Sequence, residues 1–329
     1  MGDDSATRKL RFSLSRTQKQ LLSTFSGLLI LIIVFSILSE YFFSLNNLLT
    51  VATQTAVIAI IAVGQTYVMI TAGIDLSIGS NIALSGMICA LSIQASIPVP
   101  IAMIFGLLSG ALVGLINGVF VAWGKLPPFI ATLGTMTAVR GVCLTLTQGI
   151  PISGLPKSFT QWGTGTILAI PALRFTGIPL PVVIMVILVL IFGFILAKTK
   201  IGRHVYAAGS NFEAARLSGV NTKKVYVMVY VFSGFLAAFA GLIMAARIVS
   251  AQPAAGDGYE LDAVASSVIG GTSTMGGEGS IAGTFIGAFV IGILRNGLNL
   301  VRVSPFIQKI VIGLVIVGSV FFDRIKRRD

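Results

Sequence analysis

The chain has 329 residues, of which 55% are hydrophobic and only 10% are charged, and its mean hydropathy is +0.96. A soluble protein of this length needs more polar surface, so the composition excludes a soluble globular domain and indicates an integral membrane protein. The net charge of +12 does not indicate nucleic acid as a partner, because the basic residues flank apolar stretches, where they mark membrane topology.

The N-terminal residues form a basic tail, and the apolar run over 21–38 that follows is long for a signal peptide. No small-residue cleavage site clearly follows this run. We therefore expect a basic cytoplasmic tail over 1–20, a retained first membrane helix, and a second basic cytoplasmic tail over 323–329. The residues between, 21–322, form one transmembrane domain.

Apolar stretches long enough to cross a bilayer as helices recur along this domain. They predict an all-α, polytopic membrane protein of about ten transmembrane helices. Tight, glycine-rich connections predict broken or re-entrant helices near 73–80 and 270–280. The predicted spans are 21–39, 51–72, 78–96, 99–122, 128–147, 179–197, 225–246, 261–275, 281–300 and 304–322.

Glycines at four-residue spacing lie close to one face of the fourth predicted span. Such a face lets the backbone of a second helix approach closely, so the spacing predicts tight helix packing. A moving interface is the less favoured alternative. The glycines are Gly106, Gly110, Gly114 and Gly118.

One polar island, Lys198–Lys224, interrupts the apolar sequence. It holds six Lys and Arg residues, the chain's only histidine, His204, and one acid, Glu213. Inserting it into a bilayer would cost on the order of 15 kcal/mol, so it lies in water. An even number of spans places the island and both basic tails in the cytoplasm and the acidic stretch at 257–262 outside.

The island contains the signals of a short helix. Asn211 can cap its start, Glu213 falls in the positive first turn, and Arg216 falls near the negative end. Gly219 can end it. The result is a helix of about two turns, too short to be stable alone in water.

Catalytic chemistry is not supported by the residue pattern. With one histidine, no set of nucleophile, base and orienting group can be assembled. The nearest approach to a nucleotide-binding loop, over 118–125, has one residue too many and is followed by Leu126 instead of Ser or Thr. We expect no catalytic residue, bound cofactor or metal site.

Polar residues inside the predicted spans are candidates for a translocation path. Asp75 stands between Gly73 and Ser77, where a helix break needs a cap, so a structural role is favoured for it. Interhelical hydrogen bonding is also favoured for each of the others. The candidates are Gln65, Asp75, Asn81, Asn117, Thr132, Thr135, Arg140, Asn296 and Asn299.

Five sequence blocks carry a family resemblance. They are TAGIDLSIGS (71–80), PPFIATLGTM with the following Arg140-Gly141, GSNFEAARLSGVNTKKV in the island, SAQPAAGDGYELDAVASSVIGGTSTMGGEGS (250–280) and RNGLNL (295–300). Together they resemble the permease subunits of bacterial ABC importers for simple sugars, the ribose, galactose and xylose group. The likeness covers about residues 20–325 and is strongest to the ribose branch.

The resemblance implies a homodimer in the bacterial cytoplasmic membrane. It implies two partners, a cytoplasmic ABC ATPase that uses ATP and Mg²⁺ and an extracytoplasmic sugar-binding protein, with a monosaccharide, ribose first, as the substrate. The short helix would couple the permease to the ATPase. The residues that match the family's coupling motif are Asn211, Glu213, Ala214, Ala215, Arg216 and Gly219.

Other functions stay open on the sequence. An importer of the same class could carry a nucleoside, inositol or a signalling sugar. A secondary transporter should have a paired intramembrane carboxylate or cation site, and the lone Asp75 argues against that. A channel or membrane scaffold would need no coupling helix.

Overall fold

The structure, a computed structural model, describes residues 16–169 and 177–326. The helices of this part are α1 (Arg16–Leu38), α2 (Leu45–Ile70), α3 (Ile78–Gln94), α4 (Val99–Ala122), α5 (Pro128–Thr147), α6 (Lys157–Thr164), α7 (Leu180–Lys198), α8 (Lys200–Ser210), α9 (Phe212–Leu217), α10 (Thr222–Arg247), α11 (Tyr259–Ile269), α12 (Ile281–Leu300) and α13 (Pro305–Lys326). Four two-residue strands are β1 (Ile152–Ser153), β2 (Thr166–Ile167), β3 (Ile178–Pro179) and β4 (Ser250–Ala251).

Within the described residues, seven helices are long and apolar enough to cross a membrane: α1, α2, α4, α5, α7, α10 and α12. The prediction of an all-α, polytopic membrane protein is therefore confirmed, while the predicted count of about ten is not. Each predicted span falls on a helix, but α3 has 17 residues and α11 only 11. The apolar part of α13, Pro305–Val315, is also short.

Both predicted helix breaks are present. The chain leaves the helix over 71–77 and again over 270–280. The first break ends earlier than predicted, because α3 already begins at Ile78. Asn81, in the first turn of α3, donates hydrogen bonds to carbonyl oxygens midway along two other helices, Gly110 of α4 and Gly234 of α10. Helix α3 therefore begins about halfway through the helical layer.

Helix α10 is the centre of the packing and lies against α2, α3 and α4. The four glycines of α4 are all buried. A Cβ atom added at Gly110 would lie 2.6 Å from the Gly234 carbonyl oxygen, and one at Gly118 would lie 2.6 Å from Val227 Cα. The structure thus places Gly110, Gly114 and Gly118 where the backbones of α4 and α10 meet, and Gly106 against the backbone of α3 at Ser85.

The outer helices carry the exposed apolar side chains. Leu190 and Phe194 of α7, Leu108 of α4 and Ile130 of α5 are all exposed. Apolar side chains on this scale suit contact with lipid tails, because lipid is as apolar as they are.

A small structured layer connects the helix ends opposite to the island. Strand β1 pairs antiparallel with β4, Ile152 opposite Ala251, and β2 pairs with β3. Residues 148–178 form the long connection between α5 and α7. Its residues 170–176, which include Arg174, are not among the described residues. Most of the predicted tails, residues 1–15 and 327–329, also lie outside them, and α1 and α13 include the remaining tail residues.

Candidate transport and coupling site

The break at 71–77 is organised around the Asp75 carboxylate, which is 1% exposed. One carboxylate oxygen accepts from the backbone N–H of Ser77 at 2.9 Å and from the Ser77 hydroxyl at 2.6 Å. The other accepts from the hydroxyl of Ser233, on α10, at 2.7 Å. In the described part of the chain no basic side chain forms an ion pair with Asp75.

Asp75 does not cap α3 as the sequence suggested. Ser77 is the N-cap residue, and no side-chain capping bond is made there. Asp75 instead fixes the turn before the helix and ties it to α10, so the carboxylate closes the break against a second helix. A short acceptor two residues before the N-cap can bond the N–H of the turn but not those of the first helical turn.

Buried amides and hydroxyls surround this carboxylate. The side-chain oxygen of Gln65 accepts from the Asp75 N–H at 3.3 Å, and Asn117 donates to the Ser77 hydroxyl at 2.8 Å. The Gln65 side-chain nitrogen, the Asn117 side-chain oxygen and the hydroxyl of Tyr230 are buried, and none of them has a hydrogen-bond partner among the described residues. We call Gln65, Asp75, Ser77, Asn117, Tyr230 and Ser233 the break cluster.

Thr132 joins the same region from α5, since its hydroxyl donates to the Ile74 carbonyl oxygen at 3.0 Å. The structure therefore brings five of the predicted polar residues to one place, at or beside the break: Gln65, Asp75, Asn81, Asn117 and Thr132. All five are buried. In this conformation their bonds hold helices together, and they do not face an open path.

The island contains two helices. Helix α8 was not predicted, although its buried residues, Gly202, Val205 and Ala208, recur at a helical spacing that the sequence contains. Gly209 near its end lies against the backbone of Ile70, and an added Cβ would overlap that carbonyl oxygen. Only glycine fits there, so α8 is seated directly on the end of α2.

Helix α9 confirms the predicted short helix and its caps. The Asn211 side chain accepts from the Ala214 N–H at 2.9 Å, and Gly219 ends the helix with a φ of +83°. Arg216 donates to Glu213 at 2.8 Å, with both side chains mostly exposed. Ala215 is buried, whereas Leu217 is 79% exposed. The helix is anchored by its caps, by Ala215 and by the Phe212–Tyr226 ring contact, and within the described residues Glu213 and Arg216 form an ion pair with no group other than each other.

Three hydrogen bonds link α8, the start of α10 and the 270–280 loop to one another and to residues 70–71. Tyr226, in the first turns of α10, donates to the Thr71 carbonyl oxygen at 3.1 Å. The Gly277 N–H donates to the Ile70 carbonyl oxygen at 2.8 Å. Tyr206 of α8 donates to the Gly279 carbonyl oxygen at 2.7 Å, and burial raises the pKa of its hydroxyl above the ordinary value. A displacement of the island would therefore shift or break the hydrogen bonds at the carbonyl oxygens of residues 70 and 71.

Comparison with known proteins identifies the family of this chain. A family model described as the branched-chain amino acid transport system permease component matches residues 47–320. The ribose import permease of Haemophilus influenzae is 47% identical over 304 residues, which cover 91% of this chain and 92% of the relative. The chain belongs to this permease family. The resemblance inferred from its sequence blocks is confirmed.

Further relatives agree. The ribose import permease of Bacillus subtilis is 46% identical and covers 93% of the present chain and 94% of its own. The D-allose transport system permease of Escherichia coli is 38% identical, over 92% and 91% of the two chains. No solved structure matches the permease.

The other predicted polar residues of the permease lie away from the break cluster. Thr135 bonds within its own helix, to Ala131. Arg140 donates to the carbonyl oxygens of Pro253 and Ala255 at 2.6 and 2.9 Å. Both remaining asparagines are near the far end of α12.

At that end, Asn296 and Asn47 exchange two hydrogen bonds, at 3.0 and 3.1 Å. Asn299 accepts from Gln308 of α13 at 2.7 Å. These pairs join α12 to its neighbours. The predicted path residues therefore divide between several sets of interhelical contacts.

The structure contains one partly buried ion pair that was not predicted from the sequence. Asp262 of α11, 1% exposed, lies 2.6 Å from Arg295 of α12, and that guanidinium also lies over the ring of Tyr259. The charge distribution had predicted Asp262 in an external acidic stretch. A lone arginine within an apolar span was the signal that an acid must lie opposite it. Among the described residues, no group of three His, Cys, Asp or Glu side chains is placed to hold a metal ion.

Proposed function

We propose that this permease is the membrane-spanning subunit of an ATP-driven, binding-protein-dependent importer of a monosaccharide, ribose first. The observation that carries the proposal is its 45–47% identity to ribose import permeases over more than nine-tenths of the chain. An identity this high over the full membrane domain favours a shared transport chemistry.

The proposal includes the arrangement of the importer. Two copies of the chain form the translocation path, a cytoplasmic ABC ATPase binds and hydrolyses ATP with Mg²⁺, and a sugar-binding protein delivers the substrate outside. About ten membrane-crossing segments, with both termini in the cytoplasm, fit the distribution of basic residues. The short helices α3 and α11 then cross the layer together with the non-helical segments that precede and follow them.

Helix α9 is the proposed contact with the ATPase. This helix lies in the water-exposed island. The side chains of Glu213, Arg216 and Leu217 are mostly exposed on it and available to a partner. A docked ATPase would stabilise a helix too short to be stable alone.

Movement of α9 would reach the break through the contacts on either side of it. Phe212, its first residue, lies beside Tyr226, with ring centroids 6.0 Å apart. Tyr226 in turn bonds Thr71. A shift of α9 toward or away from α10 would therefore move the start of the break, and the buried polar residues beside Asp75 would open to the path.

The test is reconstitution of the permease in proteoliposomes with its ATPase and binding protein. We expect the ribose-loaded binding protein to stimulate ATP hydrolysis and ribose uptake. Allose and xylose are the comparison sugars. Stimulation by allose alone would show that the proposed substrate is wrong. Uptake driven by an ion gradient without ATP would show that the proposed class of transporter is wrong.

A further inference from the structure

A cleft of about 470 Å³ opens at the membrane boundary, where α2 and α4 end and α5 and α10 begin. Apolar and aromatic side chains form most of its wall, among them Leu126, Phe212 and Tyr226. Two lysines, Lys125 and Lys223, also line it, and none of the described lining residues is acidic. Within the described residues neither lysine forms an ion pair.

We propose that this cleft binds an anionic phospholipid, with the phosphate between Lys125 and Lys223 and an acyl chain along the apolar wall. The site does not depend on the proposed transport function. Basic pockets at helix ends select anionic headgroups by charge, and each basic residue near the surface strengthens the attraction.

The polar half of the cleft suits a phosphate. Helix α5 begins there, at Pro128, with Pro127 as its N-cap and no side-chain capping bond. Pro127 and Pro128 have no N–H group to donate, so this helix end acts through its dipole, whose positive end favours anions. This positive end adds to the two lysine charges, and no carboxylate of the described lining opposes them.

The apolar half is continuous with the surface that faces lipid. Leu126 lines the cleft and is exposed, and Phe129 and Ile130, which follow it on α5, are exposed as well. A lipid can therefore enter from the side, with its chain against α5 and its headgroup at the boundary. The exposed charges of α9, Glu213 and Arg216, do not line the cleft, although Phe212 of the same helix does, so the cleft adjoins the polar face proposed for the ATPase without including it.

Occupancy would affect the island, because Phe212 and Lys223 belong to α9 and α10. A lipid seated in the cleft would bridge the α4–α5 connection and the start of the coupling helix. This consequence, unlike the binding itself, rests on the proposed function.

Native mass spectrometry of the detergent-purified permease tests the binding. The protein is titrated with phosphatidylglycerol, with phosphatidylethanolamine, and with millimolar inorganic phosphate as a competitor. We expect preferential retention of phosphatidylglycerol that free phosphate does not displace. Lys125→Gln and Lys223→Gln should each weaken binding about fivefold, and the double variant should weaken it more than either alone.

Two matched variants control the charge and the fold. Lys224→Gln removes the neighbouring exposed lysine, which does not line the cleft, and should leave binding unchanged. The double Lys→Arg variant at 125 and 223 should retain it. Equal binding by the double Gln variant, or equal retention of phosphatidylethanolamine, would overturn the proposal.

The rival occupant is the partner ATPase. In lipid-free detergent, chemical acylation of Lys125 and Lys223 is measured with added ATPase or added phosphatidylglycerol. Protection by the lipid supports the proposal. Protection by the ATPase alone would show a protein-docking surface and would overturn it.

Discussion

The break cluster and helix α9 both contain acidic side chains, but they hold them differently. The Asp75 carboxylate is buried and accepts three hydrogen bonds from Ser77 and Ser233. The Glu213 carboxylate is 64% exposed and pairs with Arg216 on the same helix, three residues away. The first acid connects two elements of the fold, whereas the second connects one turn to the next.

This difference separates residues that hold the fold from residues available to a partner. A buried carboxylate cannot lose its donors without leaving polar groups unsatisfied. An exposed ion pair contributes little to stability because water and salt compete with it. Substitutions in the two regions should therefore have opposite signatures, one in stability and the other in coupling.

The largest loss of stability is expected for Asp75→Ala. It removes the acceptor of three buried hydrogen bonds and leaves the Ser77 and Ser233 donors unpaired, at a cost of about 4 kcal/mol in the free energy of unfolding. Thermal unfolding in detergent, followed by circular dichroism, measures it. Asp75→Asn keeps one acceptor and should lose less, and an Ala variant as stable as the parent would show that the cluster holds nothing together.

A smaller loss is expected for Arg295→Met, at about 3 kcal/mol, because it leaves the Asp262 carboxylate buried without its partner. The same unfolding experiment applies. Adding Asp262→Asn removes the buried charge and should recover most of the loss. No recovery in the double variant would mean that Arg295 stabilises the protein by packing on Tyr259 and not by its charge.

Gly114→Ala extends the comparison to packing, with an expected loss of about 2 kcal/mol. The added Cβ would lie 2.9 Å from the Tyr230 carbonyl carbon, so α4 must move away from α10. Gly134→Ala, on α5, is the matched control, since no neighbouring atom of the described residues lies within 4 Å of a Cβ added there. The control should gain stability, because alanine favours the helix over glycine. Equal effects of the two variants would contradict a close α4–α10 contact.

The smallest change in stability is expected for Glu213→Gln and Arg216→Gln, below about 0.5 kcal/mol each. Both should nevertheless lower sugar-stimulated ATP hydrolysis in the reconstituted importer, because the polar face of α9 is the proposed contact with the ATPase. Lys224→Gln controls for the loss of an island charge. Normal coupling in both α9 variants would remove this helix from the proposal.

Much of the architecture follows from the sequence. The free energy of transferring charged and apolar side chains between water and lipid depends on composition within a window of about 20 residues, which is why the predicted spans fall on helices. Helix α9 was also predictable, because its caps, Asn211 and Gly219, act on neighbouring residues. The amphipathic spacing in α8 was present in the sequence but was overlooked within a charged segment.

Tertiary structure alone decided the partners of the buried polar groups. Asp75 and Ser233 are 158 residues apart, and Asp262 and Arg295 are 33 apart. Which side chain meets which depends on how α3, α10, α11 and α12 cross, and no local pattern encodes it. The late start of α3 and the early end of α11 have the same origin, since side chains of neighbouring helices bond the backbone there: Thr132 bonds Ile74, and Thr24 bonds Ile269. Hydropathy determined that the chain enters the membrane, and helix packing decided where its helices break.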